Sequence, residues 1–176
     1  MKKIIILLFI IIFAFFMVNA QQDVVIKDAQ TFCYAFMDFQ GSFELIPQKI
    51  SIFMKEFFKQ SLTSSGALLG VYFNSPEEVK EEELKWGIGF PVSKDSKVQK
   101  PLKMGEFKYK KIAEYLYVGP YEKSEGAYNK IFKYINDKGY KIIGPFFESY
   151  LNDPSQVKPE ELKTNIFVPV EETIKD

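Results

Sequence analysis

Residues Asn74-Ser-Pro-Glu-Glu-Val-Lys-Glu-Glu-Glu-Leu-Lys-Trp-Gly-Ile-Gly-Phe-Pro-Val92 lie in register with Asn152-Asp-Pro-Ser-Gln-Val-Lys-Pro-Glu-Glu-Leu-Lys-Thr-Asn-Ile-Phe-Val-Pro-Val170. Most paired positions are identical or chemically similar. The same ungapped register sets Gly41 on Gly119, Phe43 on Tyr121, Glu44 on Glu122, Ile50 on Tyr128 and Phe57 on Ile135. Two copies are too few to stack as a solenoid, so the expected product is one pseudo-two-fold domain in which each copy covers the apolar face of the other.

Each copy reads as strand, helix, strand, strand. In the second, Tyr109 to Val118 predicts a strand, Gly119-Pro120 a break, and Ser124 a cap for a helix running to about Lys138, with Gly139 ending it. Ala127, Tyr128, Ile131, Phe132 and Ile135 recur at helical spacing and form one core-facing stripe. Tyr140 to Leu151 predicts a strand interrupted at Gly144-Pro145, and Asn165 to Val170 the closing strand. Asn152-Asp153-Pro154 turns between them, with Asp153 bonding local backbone, and Pro159 to Leu162 makes a helical turn. The first copy follows suit: strand Phe32 to Phe39, helix Pro47 to about Lys59 with a stripe of Ile46, Ile50, Phe53, Met54, Phe57 and Phe58, then strands Ala67 to Phe73 and Gly87 to Val92. The first repeat spans about residues 30–92, residues 93–105 read as a linker, and the second repeat spans about 106–171. The fold class is therefore α+β, with duplicated βαββ units, and the length of 176 residues suits one domain.

Composition narrows the chemistry. The chain contains 23 basic and 23 acidic residues, and removal of Lys2 and Lys3 would leave it slightly acidic, which argues against nucleic acid as a partner. There is no histidine, which removes Ser-His-Asp and Cys-His catalysis and every His-containing zinc site. Cys33 is alone, so no intramolecular disulfide forms, and its Phe/Tyr/Ala setting predicts a buried apolar filler. Glu77, Glu78, Glu81, Glu82 and Glu83 lack the turn-forming glycine of a calcium loop and read as a solvated face. No metal and no cofactor is expected.

The N-terminus carries an export signature. Met1-Lys2-Lys3 supplies a basic region, Ile4 to Met17 an apolar stretch, and Val18-Asn19-Ala20 a small-residue cleavage pattern before Gln21. Residues 1–20 thus read as a cleaved signal peptide, residues 21–176 as the mature domain, and the destination as periplasm or medium. The apolar run falls short of the roughly 20 residues a spanning helix needs, so no stable membrane insertion is expected after cleavage.

Three motifs, Tyr-Val-Gly-Pro-Tyr-Glu at 117–122, Gly-Tyr-Lys-Ile-Ile-Gly-Pro-Phe-Phe-Glu-Ser-Tyr-Leu-Asn-Asp-Pro at 139–154 and Glu-Glu-Leu-Lys-Thr-Asn-Ile-Phe-Val-Pro-Val at 160–170, resemble the GyrI-like small-molecule-binding domain. That family is also called the AraC-type or bacterial transcription activator effector-binding domain. The resemblance covers nearly the whole mature chain and is sharpest in its second half. It implies a curved antiparallel sheet with helices packed on it, a ligand cavity near the pseudo-two-fold, and binding of a small organic molecule as the activity. Related domains often follow a helix-turn-helix segment, which this sequence does not show.

Glu148 is the leading candidate site residue. In Phe146-Phe147-Glu148-Ser149-Tyr150, alternation sends Phe146, Glu148 and Tyr150 to one face. A carboxyl group among aromatic rings is poorly solvated, so it should hold a raised pKa or be neutralised by a cation or hydrogen-bond donor. Charged, it attracts an amphipathic cation; protonated, it could act as a general acid. The position also matches the pocket glutamate that the resemblance implies. Trp86, set against Thr164 in the sister copy, breaks the symmetry and is a candidate ligand wall. Tyr72, aligned with Phe146 through Gly70 and Gly144, and Tyr115 and Tyr117 complete the candidate ligand-binding set. The leading expectation is an exported module binding a small organic molecule, amphipathic or cationic, in a pocket between the two repeats. The alternatives are a small-molecule hydrolase with Glu148 as acid/base, since stand-alone members of the family include hydrolases, and SOUL-like haem binding with a Met or Tyr ligand.

Overall fold

The computed structural model describes residues 23–173, and the expected signal peptide therefore lies outside the described residues. In chain order the elements are β1 (Val25–Asp28), β2 (Phe32–Gln40), α1 (Ile46–Lys59), β3 (Leu68–Tyr72), β4 (Lys85–Val92), β5 (Lys103–Phe107), β6 (Lys111–Val118), α2 (Glu125–Asp137), β7 (Tyr140–Ile142), β8 (Phe146–Tyr150) and β9 (Lys163–Glu172). All nine strands join one antiparallel sheet in the order β1-β6-β9-β8-β3-β4-β2-β5, with β7 attached to the far end of β9.

The duplication is visible in individual hydrogen bonds. Asn74 accepts from the Lys85 amide at 2.8 Å and donates to the Glu83 carbonyl; Asn152 accepts from Lys163 at 2.9 Å and donates to Glu161. The Gly41 amide donates to the Leu84 carbonyl and the Gly119 amide to the Leu162 carbonyl, both at 2.9 Å. Each Asn side chain thus closes the same long turn ahead of the same strand, which is why the Asn-x-Pro and Glu-Leu-Lys signals recur at matching positions.

The expected linker is where the sequence reading needs correction. Residues 103–107 form β5, which pairs with β2 so that Lys103 faces Phe36. In the equivalent register β1 pairs with β6, Val25 facing Glu114. Each repeat is therefore built on a ββαββ plan, to which the second adds β7 after its helix, and its opening strand crosses to the edge of the other repeat. The short, polar, alternating composition of both strands suits an exposed edge, which is also why neither stood out as an apolar run. Two smaller corrections concern helices. Ser124 makes no side-chain cap to α2, because a 3-10 turn at Tyr121–Lys123 leads into the helix and the Ser124 carbonyl accepts from Ala127 instead. Phe58, placed in the α1 stripe, is 64% exposed, whereas Phe53 and Phe57 carry the contact with the sheet. Cys33 is half-buried rather than fully enclosed.

Both helices lie on one face of the sheet. Phe53 and Phe57 of α1 pack on Phe90 and the buried Trp86, and Ala127, Ile131 and Ile135 of α2 pack on Ala113, Ile166 and Val168. The opposite face closes on its own aromatic cluster, in which Phe147 stacks on Phe167 at 5.2 Å and both meet Phe107 edge-on. No helix of the described residues is long and apolar enough to cross a membrane.

Candidate functional site: a carboxylate at the pseudo-dyad

The two repeats meet where β3 pairs with β8, and the pair at the centre of that ladder is Gly70 with Glu148. These residues are each other's counterparts in the duplication, so the pseudo-dyad passes between them. A single row crosses the sheet on its helical face: Met37, Ile88, Gly70, Glu148, Ile166, Tyr115. Glu148 is the one charged side chain in that row and is only 8% exposed.

Three phenols hold its carboxylate. Tyr128 from α2 donates to Oε1 at 2.6 Å, and Tyr150 and Tyr72 donate to Oε2 at 2.7 and 3.0 Å. The Tyr72 and Tyr150 hydroxyls are 2.8 Å apart, so the single Tyr72 proton is shared between Oε2 and the Tyr150 oxygen. Aromatic rings surround the group: Phe146 lies against Tyr128 and Phe132, Tyr121 meets Tyr150 edge-on, and Phe43 meets Tyr72 edge-on. Among the described residues no ion pair reaches Glu148. The donors that a buried carboxyl needs are supplied by these three hydroxyls.

Gly70 makes the cage possible. A Cβ there would fall 2.8 Å from the Tyr150 hydroxyl and 2.9 Å from the Tyr72 ring. Gly70→Ala is accordingly expected to destabilise the fold by about 1–3 kcal/mol through overpacking, read as a lower urea midpoint at unchanged slope. If its midpoint matches wild type, the two hydroxyls are not fixed in place by the missing side chain.

Burial, and next the negative charge of Glu148, push the Tyr72, Tyr128 and Tyr150 phenols well above the ordinary value of 10.0. Burial and then Tyr109 push Tyr34, beneath the sheet, up to about 12. A folded-state pKa raised in this way stabilises the fold fully below the unfolded value and loses that contribution as pH climbs through the folded value. Stability should therefore fall from about pH 10 upward, over a window reaching about 12 for Tyr34 and further for the cage. Phenolate absorbance checks it: Tyr34, Tyr72, Tyr128 and Tyr150 should ionise only together with unfolding. Ionisation of all tyrosines ahead of unfolding would contradict the buried placement.

The structure brings together Glu148, Tyr150, Tyr72 and Phe146 of the sequence candidates. Tyr72 enters as the counterpart of Tyr150, as the ungapped register requires, while Phe146 is its cross-strand neighbour; the alignment through Gly144 is replaced. Trp86 sits in the first repeat's core, 1% exposed, donating from Nε1 to the Gly41 carbonyl at 2.9 Å. Tyr115 faces α2, with Lys130 at 3.4 Å from its hydroxyl, and Tyr117 donates to the Pro120 carbonyl at 2.8 Å. Sequence reasoning treated Tyr128 only as core stripe and did not single out Tyr121 or Gly70. The register contained the signal for Gly70, because it sets Gly70 on Glu148.

The cage is closed. Two surface cavities, of about 260 and 360 Å³, are lined by Glu56, Lys59, Gln60, Lys97, Gln99 and Lys100 and by Phe36, Asp38, Phe39, Gln40, Phe73, Lys85 and Lys103. Neither includes Glu148. Among the described residues no acidic or cysteine cluster could hold a metal ion.

The fold is thus a sheet built from two interleaved repeats, with one acid at their shared axis. The chain belongs to the family described as the GyrI-like small molecule binding domain, which matches residues 22–171. The fold is similar to that of the EcmrR C-terminal domain, with TM-score 0.76 and 19% identity over 87% of this chain and 99% of that one. In an EcmrR–DNA complex the match has TM-score 0.75 and 20% identity, over 86% of this chain but only 58% of the EcmrR chain. SAV2435 bound to tetraphenylphosphonium is similar at TM-score 0.57 and 14% identity, over 85% of this chain and 94% of that one. No curated protein matches the sequence.

Proposed function

We propose that this chain is an exported binding module that captures a small amphipathic organic cation at the pseudo-dyad, with Glu148 as the charge anchor. The observation that carries this reading is a buried carboxylate that accepts from three phenols and has no cationic partner among the described residues. Burying a charge without a counter-charge is costly, and phenol donors offset that cost only in part. A carboxylate offers about four acceptor sites, so one remains after three phenols. An ammonium or other soft cation supplies the missing charge, and Phe146, Tyr121, Tyr128 and Tyr150 supply π-faces for its apolar body. The tetraphenylphosphonium complex of SAV2435, a relative in fold, supports the same ligand class. Residues 2–20 support export.

In this reading the closed cage is a placeholder: the hydroxyls satisfy the carboxylate until a cation displaces part of the network. Tyr128 rides on α2 while Tyr72 and Tyr150 ride on the sheet, so a small shift of the helix opens one side of Glu148 without disturbing β-pairing. The test uses the mature chain and two ions of matching shape and opposite charge. Tetraphenylphosphonium should bind in a calorimetric titration and tetraphenylborate should not. Equal binding of both would mean that apolar surface, and not the Glu148 carboxylate, selects the ligand.

A further inference from the structure

The duplication gives each repeat an aromatic box, with an indole at the centre of the first and a threonine at the centre of the second. In the first repeat a row runs Phe39, Trp86, Tyr72, Phe146 across the sheet; its counterpart in the second runs Tyr117, Thr164, Tyr150, Leu68. Around Trp86 stand Phe39 at 5.0 Å and Phe43 at 6.4 Å between ring centroids, and Phe43 in turn meets Tyr72 at 5.3 Å. Their counterparts Tyr117 and Tyr150 flank Thr164 on the two neighbouring strands, and Tyr121 meets Tyr150 in the same edge-on manner at 5.5 Å. The three rings are conserved in kind between the boxes, but where the first holds an indole the second holds a hydroxyl-bearing stub.

That hydroxyl is the anomaly. Thr164 is 2% exposed, and among the described residues its Oγ1 is the buried side-chain polar atom without a hydrogen-bond partner. Such an atom costs stability, and valine would fill the same volume without it. Thr164 lies on the face that carries Glu148, directly across from Tyr150 and diagonal to Glu148, a separation of about 7–8 Å in an antiparallel pair. Tyr117 and Tyr150 are half-buried, and Tyr121, 38% exposed, brings the rim of this box to the surface.

We propose that the cation anchored at Glu148 carries a planar aromatic ring with an N–H edge, and that this ring seats over Thr164 between Tyr117, Tyr121 and Tyr150, donating to Thr164 Oγ1. The ligand class is an arylalkyl ammonium, and Trp86 is the chain's own copy of its ring in the sister repeat. The inference rests on the reading of Glu148 as the charge anchor. Two or three methylene-length units between ring and ammonium match the diagonal from Thr164 to Glu148.

Tryptamine and its ring-N-methylated analogue are suitable probes, since they share the charge and the ring system, and the analogue replaces the N–H donor with a methyl group. Calorimetry on the mature chain should show tryptamine binding more tightly, with Thr164→Val weakening tryptamine about tenfold and leaving the N-methylated analogue unchanged. Thr164→Val should unfold at the same or a higher urea midpoint than wild type, so the loss cannot come from misfolding. Thr164→Trp, which fills the seat as the first repeat does, should abolish binding of both amines. Glu148→Gln should weaken both amines alike. If Glu148→Gln weakens tryptamine while both Thr164 variants leave it unchanged, the seat is wrong and the carboxylate anchor stands. If tetraphenylphosphonium binds in a Glu148-dependent way and tryptamine does not bind, the ligand class proposed here is overturned. Should neither cation depend on Glu148, the inference and the reading beneath it both fall.

Discussion

Glu148→Gln is expected to weaken tetraphenylphosphonium binding by about 100-fold while leaving the fold intact. Truncating or neutralising one partner of a desolvated charge pair typically costs 2–5 kcal/mol, and the lower part of that range already gives two orders of magnitude. The glutamine keeps the size of the side chain and one carbonyl acceptor for the tyrosine hydroxyls, so what it removes is charge. The amide NH₂ also turns a donor toward a site that in wild type receives donors from Tyr128 on one oxygen and from Tyr72 and Tyr150 on the other. Thermal unfolding run beside the titration separates loss of charge from loss of structure. Unchanged affinity in a well-folded Glu148→Gln chain would remove the carboxylate from the site.

The largest effect on stability should come from Trp86→Ala, at about 3–5 kcal/mol out of a total that for domains of this kind is about 5–15 kcal/mol. The indole is 1% exposed, packs on Phe39 and Phe43, and holds the Gly41 carbonyl through Nε1. Its removal leaves a cavity beneath α1 and an unpaired carbonyl at the turn where β2 hands over to the helix. Gly41 has φ of 106°, a backbone conformation that favours glycine, so this turn has little freedom to relax around the loss. Trp86→Phe should recover most of the packing and lose the hydrogen bond, giving an intermediate urea midpoint. If Trp86→Ala costs less than about 1 kcal/mol, the first box is not the rigid counterpart of the second, and the comparison between Trp86 and Thr164 loses its force.

The cage also explains why an acid could be placed at a symmetry axis at all. In a duplicated domain every residue near the axis meets its own counterpart, and two glutamates there would repel. The chain has glycine at 70 and glutamate at 148, so a single carboxylate occupies the axis. Its phenol donors come from both repeats: Tyr72 and Tyr150 are true counterparts, and Tyr128 completes the set from α2 alone, because its counterpart in α1 is Ile50. The site is therefore asymmetric by composition although symmetric by backbone.

The sequence by itself determined the duplication, the α+β class and the face of β8 that carries Phe146, Glu148 and Tyr150. Each of these follows from local rules: register, helical and strand periodicity, and turn chemistry at Asn74-x-Pro and Asn152-x-Pro. It also identified Glu148 as a carboxyl group that would need a partner, since burial among aromatics creates that need wherever it occurs. Only the tertiary structure decided who the partners are. Tyr128 lies 20 residues from Glu148 and Tyr72 lies 76 residues away, and no local pattern marks a hydroxyl that will turn toward a distant acid. The crossing of β1 and β5 to opposite repeats was likewise decided in three dimensions, because short polar edge strands gain their order from the neighbour they pair with. Trp86 and Thr164 show the same division. The sequence revealed that one repeat has a large ring where the other has a small hydroxyl, and packing alone showed that both are buried and that the hydroxyl is left without a partner.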